Sequence, residues 1–124
     1  MPSGQTTLYR AVSQKELDFI AETDFTAFPA RLPHHPIFYP VIERAYAVQI
    51  ARDWTSKDPN IGLRGYVVEF RIRSEFLSRY PVQRLENSPY REYWVPAEDL
   101  DEFNQNIIGL IQVVDRFENG QDAM

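Results

Sequence analysis

The chain reads as a single α+β domain, a curved and mainly antiparallel or mixed sheet carrying three to four helices. Three observations predict that class. Arg64 to Arg73 alternates strictly, with Tyr66, Val68, Phe70 and Ile72 on one face and Gly65, Val67, Glu69 and Arg71 on the other. Segments of helical period lie between such β-prone runs, each opened or closed by its own start or stop signal. The resulting order, strand, helix, loop, helix, strand, helix, strand, strand, helix, strand, is that of an α+β fold.

In order along the chain, Thr6 to Val12 predicts the first strand, with Leu8, Arg10 and Val12 on one face and Tyr9 and Ala11 on the other. Ser13 followed by Glu16 forms a capping box, and Leu17, Ile20 and Ala21 give the apolar stripe of a helix that frays at Thr23-Asp24. Phe25 to Phe28 reads as a short extended piece. Four prolines between Pro29 and Pro40 then break any regular element and shape a loop. Val41, Ala45, Val48, Ile50 and Ala51 recur at helical spacing up to Trp54, and Asp58 to Gly62 is a turn.

After the central strand, Ser74 caps a short helix over Glu75 to Tyr80, and Val82 to Leu85 is a short strand. Tyr90 to Val95 is the next strand. Pro96 opens a helix through Asn104, at a position where proline is tolerated. Ile107 to Phe117 closes the sheet with Gly109 as a bulge or turn, which leaves an ordered core of about residues 6–117 and an expected disordered tail over 118–124.

A chain of 124 residues is long enough for one core and not for two. The net charge of −5 gives no support to nonspecific binding of nucleic acid or of an anionic membrane. The absence of cysteine excludes disulfides, thiolate metal sites and thiol nucleophiles, and suits a cytoplasmic protein. No signal-peptide pattern and no apolar run of about 20 residues is present. The five glycines form neither a phosphate-cradling loop nor a dinucleotide fingerprint.

Four patches have residue types that chemistry uses. Beside Tyr9, Arg10 shares a face with Leu8 and Val12, so its charge must find a partner or line a cavity; a guanidinium there suits a phosphate or carboxylate. The adjacent His34 and His35 point apart in extended chain and lack a carboxylate at zinc-like spacing, so no metal site is expected. Phe38 and Tyr39, in the loop Pro36 to Pro40, form either a stacking wall for a flat ring or a lid over the core. Glu92 is the acid in the strand with Tyr90, Trp94 and Val95: facing a cleft it would act as a base or steady a positive transition state, and facing solvent it would decorate the sheet. Glu98, Asp99, Asp101 and Glu102 read as a solvated first helical turn.

The runs Leu8 to Val12, Ser13 to Leu17, Phe38-Tyr39-Pro40, Ala47, Ala51, Trp54, Glu92 to Pro96 and Phe103 to Gly109 resemble a family of small bacterial proteins often named ADP-ribosylation/J-crystallin-like. The layout is similar to the ADP-ribosyltransferase fold, with a first-strand Arg or His, a middle aromatic or serine motif and a late-strand Glu. The resemblance implies that NAD is bound, Arg10 holding its phosphates or ribose, Tyr9 beside it in the same cofactor site, and Tyr39 or Phe38 lying against the nicotinamide. Glu92 would then hydrogen-bond the nicotinamide ribose and stabilise an oxocarbenium-like transition state. The pattern departs from the family's in lacking a Ser-Thr-Ser motif after the proline loop. It departs again at Tyr90, where an acid or Gln selects the acceptor, and a degenerate member that binds a nucleotide without turning it over fits both departures as well. The competing expectation is a non-catalytic protein-interaction module, an adaptor or immunity-like partner whose aromatic loop and acidic helix form a contact face. Convergence separates the two: the enzyme needs Arg10, Tyr39 and Glu92 in one cleft, and the interaction module does not.

Overall fold

The structure, a computed structural model, describes residues 4–31 and 35–123. In chain order the elements are β1 (Gln5–Ser13), α1 (Gln14–Glu22), β2 (Ile37–Phe38), α2 (Arg44–Asp53), β3 (Arg64–Arg73), α3 (Ser74–Leu77), β4 (Val82–Arg84), β5 (Arg91–Tyr93), β6 (Val95–Pro96), α4 (Leu100–Gln105), β7 (Ile107–Glu118) and β8 (Gln121–Asp122). The α+β class and the single domain expected from the sequence are what the chain adopts. The main sheet has the order β1-β3-β7-β8, and each neighbouring pair is antiparallel.

Strict alternation in β3 decides the layering. Tyr66, Val68, Phe70 and Ile72 enter one core with Leu8 and Val12 of β1, where Phe28, Phe38, Phe76 and Phe103 pack edge to face or tilted around them. Val67 points the other way, into a smaller core with Val41, Ala47, Ala51 and Phe117 beneath α2. The register of β3 with β7 shifts twice, between Val67 and Val68 and between Glu69 and Arg71. Such bulges bend and twist a sheet, and Gly109, with φ of +72°, supplies the left-handed residue near the second one.

Helix α2 sits unusually close to the sheet. A Cβ on Gly65 would lie 2.5 Å from the Ala51 carbonyl oxygen, so glycine is required for this approach. The inward stripe of α2 is Ala47 and Ala51, flanked by Tyr46 and Ile50; Ala45, expected on that stripe, is exposed. The helix starts later than expected because Val41 is extended and bridges two strands.

Three other segments depart from expectation. Asp24 and Phe25 adopt left-handed backbone (φ 60° and 63°), and the Thr23 hydroxyl accepts from the Thr26 and Ala27 amides, so Phe25 to Phe28 is a capped turn and not an extended piece. The run Tyr90 to Val95 divides at Trp94: β5 pairs with β4, whereas β6 pairs with β2. The tail is ordered as far as Ala123. β7 continues to Glu118, Asn119 and Gly120 turn in left-handed backbone, and Gln121–Asp122 returns as β8. The Gly120 amide donates to the Ser56 hydroxyl at 2.9 Å, which ties this hairpin to the body.

Candidate functional site

A short extended segment brings the two halves of the site together. Val41 exchanges backbone hydrogen bonds with Tyr9 of β1 (2.9 and 2.8 Å). On its other edge it bridges Glu92 of β5, with Ile42 donating to Arg91 (3.0 Å) and Tyr93 to Pro40 (2.9 Å). Residues 40–42 therefore act as a strand between β1 and β5, which sets those two about 10 Å apart, twice the normal strand spacing. Opposed residues in antiparallel pairs share a face, so Tyr9, Val41 and Glu92 lean toward α2. Arg10 leans the other way, over the larger core.

Both faces open at the edge of β1. There a cleft of about 480 Å3 is lined by Arg10, Ala11, Tyr39, Val41, Tyr46, Ile50, Glu92 and Trp94. Its volume lies in the range of small-molecule sites. Of the residues singled out from the sequence, Arg10, Tyr39 and Glu92 are brought together in it. Phe38 and Tyr9 do not line it.

Each of these five has a definite role in the packing. Phe38 is buried in the aromatic core, and the Arg10 guanidinium lies 4.7 Å from its ring centroid. Arg10 also donates from Nε and Nη2 to the Glu16 carboxylate, at 2.6 and 3.0 Å. The expected capping box is thus half formed: the Ser13 hydroxyl accepts from the Glu16 amide at 3.2 Å, while the Glu16 side chain grips Arg10. Tyr9 packs against the core beneath α2; burial and a hydrogen bond to Glu69 push its hydroxyl up from the ordinary tyrosine range. Tyr39 is 42% exposed and meets Trp94 edge to face at 6.5 Å.

Glu92 is 8% exposed, one of two buried polar side chains among the described residues. Its Oε2 accepts from the Trp94 indole at 2.7 Å, and its Oε1 from the Tyr46 hydroxyl at 3.4 Å. No cation pairs with it among the described residues, whereas Glu16, Glu43, Asp115, Glu102 and Glu118 each hold an arginine. Burial, and then the Glu92 charge, push the Tyr46 hydroxyl up, which keeps it a donor. The Tyr46 ring stacks on Tyr90, 4.9 Å between centroids and 12° from parallel. A carboxylate held by two donors in a partly apolar cleft is oriented and still open to a ligand.

Neighbouring pairs fix the frame. Glu43, at the start of α2, accepts from the Arg91 amide (2.8 Å) and Nε (2.7 Å), locking α2 to β5. Burial alone would push the Glu43 carboxyl up; the Arg91 hydrogen bonds outweigh it and hold it below the ordinary range. Asp99 and Glu102, expected to be simply solvated, take Tyr80 (2.7 Å) and Arg79 (2.9 Å). His35 is exposed, and His34 lies outside the described residues. Among the described residues no group of three metal-ligating side chains is gathered, and no helix is long and apolar enough to cross a membrane.

Tyr46, Ile50 and the indole of Trp94 were not singled out from the sequence as parts of a site. The available signal was the Tyr46-Ile50 spacing of four, one stripe of α2 beside the Ala47-Ala51 stripe. In comparison with known proteins, no family model and no curated protein matches this chain.

Proposed function

We propose that the cleft binds NAD or a related nucleotide and that the protein is an ADP-ribosyltransferase-like enzyme. One observation carries this reading: Arg10, Tyr39 and Glu92, separated widely in sequence, line one cleft, and the buried Glu92 has no cationic partner among the described residues. The donor set fits such a substrate. Arg10 retains Nη1 for a phosphate oxygen, because Glu16 uses only Nε and Nη2. Tyr39 and Trp94 offer half-exposed ring surface to a flat heterocycle. Glu92 is the group that would face positive charge developing on a sugar as its bond to nicotinamide breaks, an electrostatic role worth roughly 3 kcal/mol. Trp94 and Tyr46 hold that carboxylate in place for the task. Tyr90 and Tyr46 form an aromatic wall beside Glu92, where the family pattern has an acceptor-selecting acid or amide.

The test is a thermal-shift titration with NAD, ADP-ribose and nicotinamide. A ligand confined to the native state raises stability by about 2.7 kcal/mol at a hundredfold excess over its Kd. A saturable rise with NAD or ADP-ribose is expected, reduced in Arg10→Ala relative to that variant's own unliganded midpoint. No rise with any of the three would remove the nucleotide reading.

The second reading, a protein-interaction module, is favoured by a separate observation. Trp54 is 72% exposed at the end of α2 and does not line the cleft. That reading predicts a stoichiometric partner on purification from the native host.

A further inference from the structure

Arg31 is distinguished among the described arginines by a buried nitrogen without a partner, and it is not among the six that grip a carboxylate. Arg10, Arg44, Arg52, Arg64, Arg79 and Arg91 each contact a carboxylate within 3.2 Å. The Nε of Arg31 is buried and finds no acceptor among the described residues. The side chain leaves the proline loop just after Phe28 and lies within electrostatic reach of Arg10, Glu16 and Tyr39. Burial, and then the Arg10 charge, loosen its proton, the direction expected when one cation is held near another. Glu16 is the acid in this group, and Arg10 already occupies both of its oxygens. Two guanidinium groups thus lie within electrostatic reach of one carboxylate that only Arg10 contacts, which leaves about one unit of positive charge in this group near Tyr39.

Keeping a buried N–H donor without an acceptor costs stability, and so does holding two like charges together. Both costs vanish when an anion with several acceptor oxygens arrives. Planar guanidinium forks match phosphate oxygens in geometry as well as in charge.

We propose that Arg31, which lies outside the cleft lining, joins Arg10, which is part of it, in an anion-binding arm at the rim of the cleft, taking the phosphate or diphosphate of a ligand whose ring lies against Tyr39 and Trp94. This deepens the proposed function and rests on it for the identity of the ring; the anion arm rests on the arginines alone.

The test uses isothermal titration of the full chain with inorganic pyrophosphate and with ADP-ribose, for wild type, Arg31→Met and Arg31→Lys. Wild type is expected to bind both. Arg31→Met should weaken both by about tenfold or more, the loss of a charge-assisted hydrogen bond, with Arg31→Lys recovering part of it. The response to nicotinamide should be the same in all three proteins. Without ligand, Arg31→Met should melt at or above the wild-type temperature, because the uncompensated donor is gone. Failure of wild type to bind pyrophosphate, equal binding by Arg31→Met, or a clear fall in its melting temperature would each overturn the anion arm. NAD turnover separates the two proposals. Arg31-dependent pyrophosphate binding without NAD turnover keeps the anion arm and removes the enzyme. NAD turnover with Arg31→Met indistinguishable from wild type in every titration does the reverse.

Discussion

Glu92 and Arg10 meet their surroundings in opposite ways. Arg10 is neutralised inside the protein by Glu16 and rests on Phe38, so much of its contribution is to the fold. Glu92 is held by neutral donors, so its charge is left for something else. Trp94→Phe tests the holding. It removes the shorter of the two donors while keeping an aromatic surface, and should cost about 1 kcal/mol in a denaturant titration. Turnover is expected to fall about tenfold in the same variant through loss of carboxylate orientation. Unchanged turnover would mean that Tyr46 alone positions Glu92. At this scale the sequence was partly legible. The phase of the first strand required Arg10 to find a partner or a cavity, and it has both. Tyr46 and Arg31 were not legible, for a physical reason. Tyr46 reaches Glu92 across 46 positions of chain, and Arg31 lies in a proline-rich loop with no period to place its side chain.

Among the elements, the packing of α2 on β3 decides whether the cleft keeps its shape, because α2 supplies Tyr46 and Ile50 to its wall. Gly65→Ala would drive a methyl against the Ala51 carbonyl, and should destabilise by roughly 2 kcal/mol, read by urea unfolding. A neutral result would mean that α2 can lift without cost. The Glu43–Arg91 contact ties the same helix to β5, and its pH dependence has a definite sign. The Glu43 carboxyl is depressed from its ordinary value of 4.5 in the folded state, so its contribution is fully present above that value and is lost as pH falls through the lower folded value. The stability gap between wild type and Glu43→Gln should therefore be constant near neutrality and close in acid; a gap that widened in acid would contradict the assignment. Element boundaries were read well where alternation was strict, as at Arg64–Arg73. They failed where tertiary pairing decided the outcome. Val41 left its helix to bridge β1 and β5, Trp94 broke one expected strand into two sheets, and β8 formed because β7 offered it an edge.

For the molecule as a whole, the antiparallel sheet and its two cores follow from period-two patterning, which a single sequence displays openly. The cleft follows from how far β1 and β5 are held apart, which depends on a three-residue bridge that no local pattern announces. That separation is what lets Arg10 and Glu92 line one cleft. The most direct check is release of nicotinamide from NAD by wild type and by Glu92→Gln, with circular dichroism showing both folded. Measurable release by wild type is expected, with a fall of about a hundredfold or more in Glu92→Gln while NAD binding changes little. Equal release by the two proteins, or none from either, would contradict it.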